Sequence, residues 1–338
     1  MADALVEEVA AGRARRPEPA ELELLLEQHR KELTAYCYRM LGSAFEADDA
    51  VQETLMRAWR GLDRFEGRAS FRSWMYRIAT NVCLDMLRGR RRRARPLDLG
   101  TAMDPHAPLG AMESSDGWVE PIPDGWVLAA DDDPAEVAVT RESIRLAFVA
   151  ALQHLPARQR AVLILRDVLN WKAAEVADLL GGTVASVNSA LQRARTTLAD
   201  RAGGQAEQVA TVNADQGELL ARYVEAFERY DMETLTALIH EDATQSMPPY
   251  AMWLRGPSDI LAFWVGPGAG CRGSRLIPAR ANGMIAFGQY RPGGLDGGFE
   301  PWAVQIIEVA GSQIVDFNFF LDTARFFPLF GLPSRLDR

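Results

Sequence analysis

Apolar residues at the start of the chain return at three- and four-residue steps. Leu22, Leu25, Leu26, His29, Leu33, Tyr36, Cys37 and Met40 share one helical stripe. Gly42 ends that pattern, Glu46-Ala-Asp-Asp49 opens the next, and Gly61 and Gly67 mark a break before Phe71 restarts it. Helix is thus predicted from about Glu21 to Arg93. From Pro96 to Pro134 prolines, glycines and acids replace the periodicity, which predicts a linker. Within it, Trp118 to Trp126 concentrates apolar residues in a polar stretch. Helical pattern returns from about Ala135 to Ala202, broken at Pro156 and at Gly181-Gly182. After Gly203-Gly204 come two helices between Glu218 and His240, parted at Tyr230-Asp231, and a short one at 257–265. Strand-like runs lie near 243–247, 274–279, 284–290, 302–310 and 313–321. Two all-α sections followed by an α+β section give a multidomain chain.

Length agrees, because 338 residues exceed what one small core organises. The net charge of −9 changes the picture only when divided along the chain. Residues 1–100 carry 18 basic against 16 acidic groups, and residues 101–140 carry nine acids and no base. Residues 141–202 carry nine basic against five acidic, and residues 203–338 carry ten against 16. Two basic modules flank an acidic linker, and an acidic module follows. The cysteines (Cys37, Cys83, Cys271) and four histidines are scattered, so no disulfide framework, metal site or cofactor is expected. No apolar run reaches the ~18 residues of a membrane span, and Met1–Arg16 does not read as a signal peptide. A cytoplasmic protein is expected.

The helix after Phe71 carries the first candidate chemistry. Phe71, Trp74, Ile78 and Val82 predict its buried seam. Arg77, Asn81, Asp85 and Arg88 form a separate stripe with donors and acceptors suited to base edges. Arg88, Arg90, Arg91, Arg92, Arg93 and Arg95 add a phosphate-binding footprint. A solvated polar face with a basic helix end fits the same residues. In the preceding loop, Phe65, Arg68, Ser70 and Phe71 have the groups to hold an unstacked base, or Phe65 and Phe71 simply anchor a turn. Further on, Trp171–Leu180, Gly181-Gly-Thr183 and Val184–Leu198 read as helix-turn-helix. Val184, Val187, Leu191, Ala194 and Leu198 form the predicted seam, and Thr183 the cap. Ser186, Asn188, Ser189, Gln192 and Arg193 lie on or beside the polar face that suits major-groove entry, although structural bundles use the same geometry.

Asp48-Asp-Ala-Val-Gln-Glu-Thr-Leu-Met-Arg-Ala-Trp59 and Phe71 to Arg88 together resemble region 2 of extracytoplasmic-function sigma factors of the sigma-70 family. The helix-turn-helix resembles their region 4. The resemblance implies core RNA polymerase binding by Asp48, Asp49, Gln52 and Glu53. It implies −10 promoter capture and melting by the Phe65–Arg88 loop and helix, and −35 reading by region 4. Where Asn188 and Ala190 stand, family members often carry basic residues, a departure that weakens the expected −35 contact. Tyr223-Val-Glu-Ala-Phe227, Met232 to Ala243, Met247-Pro-Pro and Leu254-Arg-Gly-Pro resemble the SnoaL-like branch of the nuclear-transport-factor-2-like fold, a sheet and helices around a cone-shaped pocket. Trp118, Pro121, Pro123, Asp124 and Trp126 resemble the linker signature of sigma factors with such extensions, in which the extension is thought to regulate activity in cis.

The expected layout is therefore 1–19 flexible, 20–95 region 2, 96–134 linker, 135–202 region 4, 203–213 linker and 214–338 SnoaL-like. The expected role is a non-enzymatic sigma factor partnered by core polymerase and promoter DNA. Two rivals are a one-component ligand-sensing regulator and a SnoaL-like enzyme with a DNA-binding segment. For the second, Asp231, His240, Glu241, Asp242, Asp316 and Asp322 are acid–base candidates without a diagnostic motif. Trp253, Phe263, Trp264, Phe287, Trp302, Phe317 and Phe319 are candidate pocket or core residues.

Overall fold

The computed structural model describes residues 19–62, 65, 69–128, 134–201, 214–293 and 297–337. Most of the expected flexible N-terminus, the whole 203–213 connection, and Arg68 lie outside the described residues. The chain forms two compact units, Met1–Arg92 with Val119–Gln205 and Arg93–Trp118 with Ala206–Arg338.

The first unit is helical. It begins with α1 (Pro19–Gln28), α2 (Arg30–Leu41), α3 (Ala44–Gly61) and α4 (Phe71–Met86). Every residue of α2 from Leu33 to Leu41 is buried, because helices surround it. Gly42 ends α2 at φ 73°, a left-handed conformation that costs a glycine little, and its N–H donates to Tyr38 O at 2.8 Å. Ser43 then caps α3 by accepting from Glu46 N. On α4 the buried residues are Phe71, Met75, Tyr76, Ala79, Thr80, Val82 and Cys83. Trp74 and Ile78, expected in the seam, are only half-buried. The helix has neighbours on two sides, α2 and α3 on one and the later helices on the other, so its buried arc is wider and turned from the predicted stripe.

The second half of this unit holds the single turn α5 (Asp124–Val127), then α6 (Pro134–Ile144), α7 (Leu146–Gln153) and α8 (Ala157–Leu163). A wide helical turn over Ile164–Val168 ends the long helix predicted there. It is followed by α9 (Ala173–Leu180) and α10 (Val184–Arg201). Gly181, at φ 62°, makes the turn between them. Thr183 and Ser186 cap α10 reciprocally, each backbone N–H donating to the other's hydroxyl at 3.1 Å. Val187, Ala190, Leu191 and Ala194 are its buried residues, whereas Val184 is 44% exposed in the first turn and Leu198 half-buried.

The stretch expected as one linker is divided between the units. Val119 to Val127 packs on α2. Glu120 N donates to Gly42 O at 2.9 Å, Tyr38 Oη donates to Glu120 O at 2.8 Å, and the Ser43 hydroxyl donates to the Glu120 carboxylate. Pro121 and Pro123 are buried beside them, and Asp124 and Trp126 lie on α5, both half-buried. Residues 93–118 instead join the second unit, where Arg93 donates to Trp118 O at 2.7 Å and Ala94 bridges Trp118.

In that unit α11 (Ala214–Arg229) and α12 (Met232–Leu238) precede a six-stranded sheet. Its strands are β1 (Ile239–Ser246), β2 (Trp253–Arg255), β3 (Arg275–Ala281), β4 (Met284–Gly293), β5 (Gly298–Ala310) and β6 (Gln313–Phe320). The order is β2-β1-β6-β5-β4-β3, antiparallel except for β1 against β6. α13 (Gly256–Val265) follows β2, and α14 (Thr323–Leu329) follows β6. Strand alternation sends Gln245, Phe287, Ile307, Phe317 and Phe319 to the helix-covered face, where the core forms. Thr244, Ser246, Asp316 and Asn318 share the other face as a hydrogen-bonded ladder. There the closing tail also packs, Phe326 on Phe320 and Phe327 on Tyr290.

Candidate nucleic-acid interface

On α4 the side of the helix away from the core carries Arg77, Asn81 and Asp85, all exposed, and Arg88 continues the line past its end. Arg88 pairs with Asp85 at 3.1 Å, and Arg77 donates to Asp178 O of α9 at 3.2 Å. The stripe is thus a row of outward polar groups on a helix whose other side is locked by Tyr36, Thr80 and Tyr76. At its start Ser70 caps the helix, accepting from Ser73 N at 3.1 Å.

The aromatic loop residues behave as anchors. Phe71 is wholly buried, and Phe65 packs on it and on Trp74 with ring centroids 5.9 and 5.0 Å away. Phe71 is therefore closed to a base, which corrects its expected contact; Phe65 and Trp74 are half-buried.

The arginine run also divides. Arg88, Arg90, Arg91 and Arg92 are exposed. Arg90 pairs with Glu46, and Arg92 bonds His154 at 2.7 Å. Arg93, expected on phosphate, is 6% exposed and is spent on Trp118 O and Ser115 O. Its backbone position at the start of a buried bridge, rather than its charge, decides this.

In the helix-turn-helix, Ser186, Asn188, Ser189, Gln192 and Arg193 are all exposed on α10. The Ser186 hydroxyl is already used in the cap. Ala190 is buried, so the missing basic residue there costs no outward contact. Arg195 makes a two-point ion pair with Asp167 at 2.7 and 2.9 Å, fixing α10 to the wide turn.

A separate face lies on α3. Asp49 and Gln52 are exposed and Asp48 and Glu53 half-exposed; Gln52 bonds Asp48 at 2.7 Å and Glu53 pairs with Arg57 at 2.6 Å. Sequence reading emphasised the acids. Met56 and Trp59, each 46% exposed, extend the same face with apolar surface. Met56 and Trp59 follow Gln52 at i+4 and i+7, on one helical face, where an apolar residue also reads as core.

Between α2 and α4 sits a partly buried polar cluster. Glu32 accepts from His29 Nδ1 at 2.5 Å, Arg72 at 2.7 Å and Tyr76 Oη at 3.2 Å. Burial alone would raise the Glu32 carboxyl, but the His29 and Arg72 hydrogen bonds prevail and hold it below its ordinary value. Arg39 and Arg160 are buried among neutral oxygens, Arg39 on Ser143 and Arg160 on Gln153, Leu155 and Met40 carbonyls. Burial lowers each guanidinium to about 10.

The sheet unit holds a small pocket, open at one side, lined by Phe227, Tyr230, Met232, Gln245, Met247, Phe263, Trp264, Gly268, Cys271, Gln289, Trp302 and Phe319. Phe287 and Phe317 belong to the core, and the Trp253 indole is turned to Gly100 O. The acid–base candidates are dispersed. Asp231 caps α12, Asp242 pairs with Arg255, and Asp316 lies on the opposite face of the sheet. Among the described residues no group of three or more His, Cys, Asp or Glu is arranged to hold a metal, and no helix is long and apolar enough to cross a membrane.

Comparison with known proteins agrees with this architecture. Family models match sigma-70 region 2 at residues 25–93, sigma-70 region 4 at 145–198 and a SnoaL-like domain at 220–317. The RNA polymerase sigma factor SigG of Mycobacterium tuberculosis is 45% identical over 317 residues, covering 92% of this chain and 83% of that protein. SigJ of the same organism is 29% identical over 79% of this chain and 81% of its own length. The SigJ crystal structure shares the fold, with a TM-score of 0.58 and 22% identity, covering 94% of this chain and 100% of that one. Helical modules of both kinds, a SnoaL-like sheet unit and 45% identity along nearly the whole chain place this protein among the extracytoplasmic-function sigma factors, which direct RNA polymerase to promoters.

Proposed function

We propose a division of that task among the faces described above. The α3 face of Asp48, Asp49, Gln52 and Glu53, extended by Met56 and Trp59, docks on core polymerase. Arg77, Asn81 and Asp85 read the −10 element, with Phe65 and Ser70 at the loop that receives an unstacked base. Arg88, Arg90, Arg91 and Arg92 hold phosphates. Asn188, Ser189, Gln192 and Arg193 enter the −35 major groove. The protein works with the polymerase in the cytoplasm, and its sheet unit regulates initiation in cis without turning over a substrate. The observation that carries this reading is the exposed row at 77, 81, 85 and 88 on a helix otherwise fixed in the core. Run-off transcription with core enzyme tests it: the chain should start transcripts at a defined promoter, and variants of the row should change which promoter bases matter. Failure to support initiation from any promoter would overturn it.

A further inference from the structure

The first turn of α10 presents methyl groups to solvent. Its hydroxyls are engaged in the cap: Thr183 Oγ accepts from Ser186 N at 3.1 Å. Ser186 Oγ accepts from Thr183 N at 3.1 Å and donates to Thr183 O at 2.7 Å. Val184 stands between them, 44% exposed. Among the described residues it is the exposed large apolar side chain of the helix-turn-helix. Ala185 beside it is exposed too. Val187, 2% exposed, is the valine of this turn that enters the seam. A β-branched residue is a modest helix former, so helix propensity does not account for Val184 either. Along α10, Val184 shares a row with Asn188 one turn on, and Ala185 shares one with Ser189 and Gln192. All five are exposed.

We infer that Val184 selects a thymine in the −35 element by packing its γ-methyl groups on the C5-methyl of that base. The inference rests on region 4 entering the −35 major groove and adds a specificity residue to that reading. In a helix-turn-helix the N-terminal residues of the second helix contact base edges. Thymine presents a methyl group in the major groove, and an apolar side chain is the contact that favours it. Asn188, on the same row, carries the amide that suits adenine N6 and N7. One helical turn advances about 5.4 Å against about 3.4 Å per base pair. The thymine therefore lies one or two pairs from the base that Asn188 reads.

The test uses the full chain with core polymerase on the promoter defined by run-off transcription. Each −35 thymine, on either strand, is replaced singly by uracil, which removes the C5-methyl and keeps the base pairing. One replacement should weaken promoter binding about fourfold, as for one buried methylene-sized group. Val184→Ala should cost a similar factor on the thymine promoter and nothing further on that uracil promoter. Alanine favours the helix, so the thermal midpoint should be retained. The uracil scan of the unaltered protein stands even where the variant does not fold. Asn188→Ala and Gln192→Ala separate the two levels of the argument. If both leave promoter binding unchanged, region 4 does not read the −35 element and the inference falls with that reading. If they weaken binding, the reading stands, and three results would each overturn the role of Val184 alone. These are a −35 element without thymine, no uracil effect at any position, or equal loss from Val184→Ala on thymine and uracil templates.

Discussion

Single residues decide which groups face out. Arg93 and Phe71 each have the right chemistry for nucleic acid, yet both are consumed internally, Arg93 by Trp118 O and Phe71 by His29, Phe65 and Trp74 rings. Their neighbours in space are 25 and 42 positions away for Trp118 and His29, a separation that no local pattern reveals. Glu32 shows the same logic with a measurable pH signature. Its folded carboxyl lies below the ordinary 4.5, so the unfolded chain takes up the proton first on acidification. The stabilisation is complete above about 4.5 and is lost as pH falls through the lower folded value. Glu32→Gln should therefore cost about 2 kcal/mol at pH 7, as for a hydrogen bond to a charged group. The gap to the parent protein should narrow in acid. Urea unfolding of both proteins at pH 7 and in steps below pH 4.5 checks this; a constant gap would refute it.

At the level of elements, helices and turns were legible because Gly42, Gly181 and the 3.6-residue stripe are local signals. The orientation of α4 was less so, since this helix packs against helices from both halves of the unit. The polar row of Arg77, Asn81 and Asp85 on α4 is exposed. Asn81→Ala should cost ~1–3 kcal/mol at one promoter position and relax preference there. Equal loss over all single-base promoter variants would leave Asn81 a backbone role. The arginine run now separates into two classes. Replacing Arg88 and Arg91 together should flatten the log–log salt dependence of DNA binding by about 2 units, near 0.9 per phosphate contact. Arg93→Ala should leave that slope unchanged and lower the unfolding temperature of the second unit. A slope change from Arg93→Ala would return it to the phosphate set. On α3, Trp59→Ala should weaken co-purification with core polymerase while helical content stays constant, and unaltered recovery would remove Trp59 from the docking face.

The whole chain is organised by where it crosses between its units. The acidic linker looked like a spacer because its apolar residues are too sparse to give a period. Met103 and Leu109 insert singly against a core assembled by residues beyond 218, and Met103 N donates to Trp253 O at 2.9 Å. Val119 to Val127, by contrast, is tied to α2 through Glu120. The sheet unit is thus joined by a short covalent path to the helix that organises region 2. Tethering at such range gives effective concentrations on the order of mM. Deleting residues 205–338 removes the partner of the first linker half and should change run-off transcription strongly. Trimming only after Thr323 spares the main core and should give a different effect. Met103→Asp with Leu109→Asp keeps the sheet unit but detaches residues 93–118, and should reproduce the effect of the full deletion if the linker transmits the regulation. Run-off yields and promoter affinities of these four chains decide the matter. Identical values for the full chain and the 1–204 fragment would end the regulatory role. A linker variant that behaves like the intact chain, beside a deletion that does not, would move transmission to another path.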